Sequence, residues 1–206
     1  LQSSGQMQRG RVLVGYDLRP SSPAIAEDCL AAIAHAGFEP VDCGAVPTPA
    51  LALQAMTTGS AAVMITGSHI TADRNGLKFY KPAGEVSKAD EAGIVASLSD
   101  IDVPDYDESV LDENEETLEA YRDRCVDLLP GGALEGFKIG VFEHSTVSRE
   151  LMGEVLAALG AKVVSLGRSD VFVPVDTEAF SDALFAPLPG WVREHELDAI
   201  VSADGD

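Results

Sequence analysis

The sequence predicts an α/β protein made of two repeated three-layer αβα units whose sheets are mostly parallel. Short apolar runs of strand length alternate with longer helical segments in the order β-α-β-α-β, and that order recurs in the second half of the chain. Strands that alternate with helices in this way form parallel sheets with helices on both faces. A strand is also framed by glycines at the same spacing in each half, Gly37 to Gly44 and Gly160 to Gly167.

The first unit contains five predicted elements. Ser22 is the expected N-cap of the first helix and Pro23 its first helical residue, because these residue types suit a helix start. Pro47-Thr48-Pro49 opens the second helix. The elements are a strand at 11–17, a helix at 23–36, a strand at 39–43, a helix at 50–58 and a strand at 61–66.

The second unit repeats this order after an acidic stretch. Residues 100–119 are rich in Asp and Glu and are expected to form an exposed connection that runs into a helix near 116–129. Pro130-Gly131-Gly132 marks the boundary, so the predicted domains are 1–99, an acidic linker and helix at 100–132, and 133–206. Its elements are a strand at 138–142, a helix at 148–159, a strand at 162–166, a helix within 184–195 and a strand at 199–203.

The charge of the chain disfavours two classes of partner. Its 34 acidic and 14 basic residues give a formal net charge of −20, which would repel nucleic acid and anionic membrane surfaces. No apolar run reaches the roughly 18 residues of a membrane span. The three cysteines are scattered without metal-ligand spacing, and the first residues do not resemble a signal peptide. We therefore expect a cytoplasmic protein, of undetermined oligomeric state.

The loop after the third strand is the first candidate site. Thr66-Gly67-Ser68-His69 follows that strand, and ligands of open α/β sheets bind at such strand ends. Residues 60–84 hold three bases and one acid, which suits an anion such as phosphate. Ser68 could be a nucleophile or phosphate carrier, His69 could orient a group, and Lys78 could be an acid/base or an electrostatic clamp. A polar turn with Asn75-Gly76 as a hairpin signal explains the same residues equally well.

The loop after the last strand is the second candidate site. Asp204-Gly205-Asp206 falls in register with Thr66-Gly67-Ser68 when the two units are aligned by their glycines. Carboxylates that alternate across a small residue place oxygen ligands on one side of a tight loop, which suits Mg²⁺. An ordinary Asp-Gly turn is the alternative that the residues alone favour.

Four motifs, in order, resemble those of the α-D-phosphohexomutases, the phosphomannomutase/phosphoglucomutase family. The serine loop, with Asn75-Gly76-Leu77-Lys78 after it, is similar to the T-[AG]-S-H-N-P-x-x-x-N-G-x-K phosphoserine loop of that family. The other three motifs are the segment at 15–22, similar to G-x-D-x-R-x-S-S, the P-T-P at 47–49, and the start of a D-G-D-x-D-R magnesium loop at 204–206.

The resemblance implies an intramolecular phosphotransferase that interconverts hexose 1-phosphate and hexose 6-phosphate, with mannose the first choice of sugar and glucose the second. It implies Mg²⁺ as cofactor and a hexose 1,6-bisphosphate as activator. Catalytic residues implied are Ser68 as the phosphoserine, His69, Lys78 as acid/base partner, and Arg19, which would help to order the site. Metal ligands implied are Ser68, Asp204 and Asp206.

The chain also departs from the family pattern. Ile70-Thr71 replace the usual Asn-Pro, and Phe142-Glu143-His144-Ser145-Thr146 stands where many members have D-x-x-N-G-x-G. The resemblance covers the N-terminal half of the family, so the 206 residues alone are expected to lack mutase turnover. Two other functions stay open: a non-catalytic module that binds a sugar phosphate or anion, and a Mg²⁺-dependent phosphatase, against which the serine loop argues.

Overall fold

The computed structural model describes residues 10–68, 70–98, 116–175 and 182–206. His69 and most of the acidic connection lie outside the described residues, so the predictions made for them stay predictions.

The first unit forms the predicted β-α-β-α-β segment and then adds a hairpin and a helix. Its elements are β1 (Arg11–Tyr16), α1 (Ser22–His35), β2 (Glu39–Ala45), α2 (Thr48–Thr58), β3 (Ala61–Ile65), β4 (Leu77–Lys81), β5 (Gly84–Glu85) and α3 (Lys88–Ala96).

Its sheet has the strand order β2-β1-β3-β4-β5. The first three strands are parallel, with Tyr16 of β1 opposite both Ala45 of β2 and Ile65 of β3. Strands β4 and β5 run antiparallel. Since parallel strands end at the same edge of a sheet, Asp17 and Thr66, the next residues after β1 and β3, lie side by side.

Successive residues of β1 pack into two separate cores. Leu13 packs on one face of the sheet with Val46 and with Leu51 of α2. Val14 packs on the opposite face with Leu30 of α1. The two helices therefore cover opposite faces, as the three-layer prediction requires.

Three local predictions in this unit are wrong. Ser22 is the first residue of α1 and not its N-cap; the N-cap is Ser21, whose side chain makes no capping bond. The Ser22 hydroxyl instead donates to Asp17, because that buried carboxylate lies within reach of the helix start. Helix α2 begins at Thr48, ahead of the predicted residue 50. The Asn75-Gly76 pair is not a two-residue hairpin turn, since residues 66–76 connect β3 to β4.

The second unit has the same topology. After α4 (Glu116–Val126), its elements are β6 (Lys138–Phe142), α5 (Arg149–Ala158), β7 (Lys162–Leu166), α6 (Asp182–Phe185), α7 (Leu188–His195) and β8 (Ala199–Val201). The sheet order is β7-β6-β8, all parallel, so the first strand of the unit lies between the other two, as β1 lies between β2 and β3. The predicted helix is divided in two, with Pro187 as the N-cap of α7.

Helix α4, predicted to follow the acidic connection, joins the two units. It packs against α2 of the first unit and α5 of the second. The buried Thr117 hydroxyl donates to Sγ of Cys43 over 3.4 Å. Among the helices that the structure describes, none is long and apolar enough to cross a membrane.

Candidate functional site

The last loop of the second unit meets the first unit at the ends of its central strands. Oδ2 of Asp206 accepts hydrogen bonds from Nζ of Lys78 on β4 and from Oγ1 of Thr48 at the start of α2, both at 2.8 Å. A Cβ placed on Gly205 would lie 3.7 Å from the carbonyl oxygen of Ser68. Two loops that are distant in the sequence therefore form one site.

A buried ion pair between Asp17 and Arg19 lies next to the serine loop and is bonded to it. Asp17, which follows β1, is wholly buried. Its carboxylate accepts from Nε of Arg19 at 2.9 Å, from the Arg19 backbone N–H at 3.1 Å, from the Ser22 hydroxyl at 2.5 Å and from the Thr66 hydroxyl at 2.9 Å. Removing one partner would leave a buried charge unpaired, at a cost of about 3–5 kcal/mol.

All five guanidinium N–H groups of Arg19 donate hydrogen bonds within the protein. Besides the Asp17 bond, its two terminal nitrogens donate to four backbone carbonyls of the serine loop. The acceptors are Ser68 at 2.7 Å, Ile70 at 2.8 Å, Thr71 at 2.6 Å and Arg74 at 2.9 Å. Arg19 therefore shapes the loop, and all of its guanidinium N–H groups are committed to Asp17 and to the loop carbonyls.

This mode of support has two consequences for the loop sequence. Arg19 binds the backbone carbonyls of residues 70 and 71 and not their side chains. Ile70-Thr71 can therefore replace Asn-Pro without loss of the hydrogen bonds from Arg19. Gly67 lies so close to Arg19 that a Cβ would be 2.6 Å from the guanidinium carbon. Position 67 therefore admits only glycine without a shift of the arginine.

Ser68 itself has a left-handed backbone, with φ +50°. Its N–H donates to Oγ1 of Thr66 at 2.8 Å, and the residue is partly exposed. Such a conformation costs a non-glycine residue roughly 1–2 kcal/mol and persists only where surrounding contacts impose it. The Thr66 and Arg19 contacts therefore present Ser68 in one fixed geometry.

Burial and hydrogen bonds act in opposite directions on the pKa of Asp206. Burial raises the pKa of this carboxyl, but the hydrogen bonds from Lys78 and Thr48 outweigh burial, and the net pKa lies below the ordinary value. The Asp206 side chain is 4% exposed and that of Lys78 is 42% exposed. Lys81 pairs in the same way with Asp90. Two of the three bases expected to make this region positive are thus matched by carboxylates.

Asp204 has the opposite environment. Burial and the neighbouring Asp206 charge raise its pKa, because a second negative charge in the same loop is unfavourable. Two carboxylates in one tight loop suit a hard divalent cation. The part of the chain that the structure describes contains no group of three or more His, Cys, Asp or Glu side chains arranged for a metal. The two aspartates fit Mg²⁺ as a partial donor set that needs further oxygens, such as those of a phosphate.

Phe172 is a contributor that sequence reasoning missed. It follows β7, is buried, and its ring lies 4.4 Å from the guanidinium carbon of Arg19. The same ring would be 3.4 Å from a Cβ on Gly205. Phe172 therefore lies between the two loops, and a lone aromatic residue in a sequence gives no signal of such a role.

Residues 142–146 depart from the family pattern, and the overlapping segment 143–147 is buried throughout. The Ser145 hydroxyl accepts from the Val173 N–H at 2.7 Å, which holds the chain next to Phe172. Nε2 of His144 lies 2.7 Å from the carbonyl oxygen of Ala203. Burial lowers the pKa of His144.

Five of the six predicted site residues thus belong to one region at the strand ends. These residues are Arg19, Ser68, Lys78, Asp204 and Asp206. The sixth, His69, lies outside the described residues.

Comparisons with known proteins find relatives of this chain. Residues 2–104 match the family described as phosphoglucomutase/phosphomannomutase, alpha/beta/alpha domain I. A phosphomannomutase from Sinorhizobium fredii is 49% identical over 97% of this chain and 44% of its own length. One from Salmonella muenchen is 43% identical over 95% of this chain and 40% of its own. The chain spans less than half of the length of these relatives.

Two further comparisons extend the family resemblance. A phosphoglucosamine mutase from Symbiobacterium thermophilum is 34% identical over 96% of this chain and 45% of its own length. A crystal structure of a phosphoglucomutase/phosphomannomutase family protein from Burkholderia thailandensis matches 100% of this chain and 46% of its own, with a TM-score of 0.74 at 20% identity. That structural likeness concerns the fold.

Proposed function

The chain belongs to the phosphoglucomutase/phosphomannomutase family, and on that premise we propose that it carries the phosphate-transfer site of a phosphohexomutase. The enzyme would interconvert hexose 1-phosphate and hexose 6-phosphate through a phosphate on Ser68. The observation that carries the proposal is the meeting of the serine loop with the Asp204–Asp206 loop, since a phosphate carrier and oxygen ligands for a cation are needed at one place.

The proposed transfer is a pair of substitutions at phosphorus. In the first, a sugar hydroxyl oxygen bonds to the Ser68 phosphorus as the bond to Oγ breaks, and a proton passes from the hydroxyl to the Ser68 oxygen by way of a protein group. In the second, Ser68 regains a phosphate from the other end of the hexose bisphosphate. A hexose 1,6-bisphosphate would therefore also prime an enzyme that lacks the phosphate.

Lys78 is the protein group proposed to act in proton transfer. In the ion pair with Asp206 it is an ammonium, so it is set to donate a proton to an oxygen or to offset negative charge on the phosphate. To accept a proton from the sugar it must first lose one. The ion pair therefore favours the donor and clamp roles over the role of resting base.

The proposed metal ligands are Asp204, Asp206 and the phosphate of Ser68. Magnesium held there would offset the charge that develops on the phosphate oxygens. Support comes from the pKa of Asp204, which burial and the neighbouring Asp206 charge raise, and from the close approach of Gly205 to the serine loop. A cation would relieve the repulsion between the carboxylates.

Mannose phosphates are the proposed first substrates, with glucose phosphates second. The support is that the relatives at 49% and 43% identity are named phosphomannomutase, against 34% for a phosphoglucosamine mutase. The cytoplasm is the proposed location, because hexose phosphates are charged intermediates of internal metabolism.

The test is a mass measurement on the full-length gene product. After brief exposure to glucose 1,6-bisphosphate and removal of the ligand, the intact protein should gain one phosphate, and peptide mapping should place it on Ser68. Ser68→Ala should abolish the gain, and the matched control Ser97→Ala, at an exposed helix end, should keep it. Phosphate on an aspartate would favour the phosphatase alternative. Binding of the bisphosphate without any covalent phosphate would favour the non-catalytic module.

A further inference from the structure

We propose that His144 is a positioning residue for the loop that carries Asp204 and Asp206, acting through its Nε2–H on the Ala203 carbonyl. This inference rests on the proposed function, since it assigns that loop a role in phosphate transfer. Two hydrogen bonds motivate it. Nε2 of His144 is 2.7 Å from the Ala203 oxygen, and the Val147 N–H donates to the Gly205 oxygen over 3.2 Å.

These two bonds hold the carbonyls on either side of Asp204. A carbonyl oxygen only accepts, so Nε2 must carry the proton and donate it. The peptide that leads into Asp204 and the peptide that leads into Asp206 are each attached to the 144–147 segment. The direction in which both carboxylates leave the backbone therefore depends on that segment.

The environment of Nδ1 indicates which ring nitrogen of His144 carries the proton. Nδ1 of His144 is buried and has no hydrogen-bond partner among the described residues. A protonated ring would bury a second N–H without an acceptor, which is costly. The structure thus requires a neutral ring in the Nε2–H form, whose donor is committed to the loop.

The backbone of His144 shows that its placement is imposed from several sides. Its φ is +27°, a left-handed value that non-glycine residues adopt at a cost. Its carbonyl accepts from the Ser169 N–H at 2.8 Å, and the edge of its ring meets Phe142 with 5.2 Å between ring centroids. The residue is 1% exposed. A strained, fully enclosed side chain with one committed bond is an anchor for the loop and not a ligand of the substrate.

Loss of a group that holds metal ligands in place usually weakens metal affinity by roughly 10–100-fold. Glutamine and asparagine separate the two ring nitrogens: the Gln amide nitrogen reaches about as far as Nε2, and the Asn amide nitrogen about as far as Nδ1. His144→Gln should therefore keep the bond to Ala203, whereas His144→Asn should lose it. His35→Asn, on an exposed position of α1, is the matched control.

The experiment has three readouts on the full-length protein. Nitrogen-15 NMR of the wild type should show His144 as the neutral Nε2–H tautomer. Hydrogen exchange of the amides at 204–206 should accelerate about tenfold or more in His144→Asn and stay near wild type in His144→Gln. The dissociation constant for Mn²⁺ should rise by about tenfold or more in the Asn variant only.

Several results would overturn the inference. An Nδ1–H tautomer would remove the donor that it requires. Equal losses of exchange protection and Mn²⁺ affinity in the Gln and Asn variants would mean that His144 acts only through packing. No loss in either variant would mean that the 204–206 loop keeps its conformation without His144. A protein that never acquires phosphate on Ser68 would refute the proposed function, while the tautomer and the exchange rates would still decide the role of His144.

Discussion

Lys78 of the first unit and Asp206 of the second are joined by an ion pair, with 2.8 Å between Nζ and Oδ2. The two residues were predicted to have separate roles, one in proton transfer and one in metal binding. Because each is the partner of the other, a substitution at either position leaves the other residue without its ion-pair partner. The two roles are therefore coupled through a single contact between the units.

The coupling can be measured with a double-mutant cycle. Lys78→Met and Asp206→Asn should each slow phosphate transfer by about 100-fold or more, and the double variant should be little worse than either, because residues that act as a unit are not additive. Single-turnover transfer from phosphorylated protein to mannose 1-phosphate is the measurement. Lys81→Met breaks the analogous pair with Asp90 away from the loop and should change the rate little. Additive losses would show that Lys78 and Asp206 act independently.

Gly67→Ala tests the approach of Arg19 to the serine loop. The new Cβ would lie 2.6 Å from the guanidinium carbon, and the arginine cannot retreat without breaking bonds to four carbonyls. We expect a loss of about 1–3 kcal/mol in the free energy of unfolding, measured in urea. Gly93→Ala, in α3 with open space at its Cβ, should instead gain about 0.5–1 kcal/mol. A neutral Gly67→Ala would mean that the arginine is not held as described.

Phe172→Leu tests the contact between the second unit and Arg19. Leucine is apolar but has no π face for the guanidinium 4.4 Å away, so we expect a loss of about 0.5–2 kcal/mol in stability. Hydrogen exchange at residues 70–76 should accelerate, because the serine loop depends on Arg19. Phe137→Leu, at a half-exposed ring, is the control and should leave that loop unchanged. A drop in global stability with no change at 70–76 would contradict the link.

Asp204→Asn tests the electrostatics of the second loop in metal-free protein. Burial and Asp206 raise the pKa of Asp204, so its ionised form is less favourable in the folded chain than in the unfolded one. That penalty is absent below the ordinary value of 3.8, grows as pH rises through the folded pKa, and is constant at neutral pH. The variant should therefore be more stable than wild type at neutral pH and lose the advantage in acid.

Urea unfolding in EDTA across this pH range is the measurement. Asp170→Asn, at an exposed position outside the loop, is the matched control. A variant that is less stable than wild type at neutral pH would show that Asp204 is stabilised by a partner, and that the loop is not crowded with negative charge.

Periodicity and turn residues in the sequence were sufficient for the architecture. Hydrophobic alternation in the strands and glycines at helix ends are local properties, so the two β-α-β-α-β units, and the fold class, followed from them. The serine and aspartate loops could also be found, because each follows a strand whose end was already placed. The prediction that Ser22 is a helix cap was wrong because it used local sequence alone. The Ser22 hydroxyl bonds to Asp17, a contact that depends on the tertiary structure.

The tertiary structure decided how these residues act on one another. All of these are contacts between distant segments. Arg19 binds four carbonyls of the serine loop, and Lys78 pairs with Asp206 across 128 positions of sequence. Phe172 and His144 contact the residues that hold or form the two loops. Sequence patterns report which face of its own element a residue occupies. Which residue of another element meets it there depends on the packing of the two units, and only the folded chain determines that.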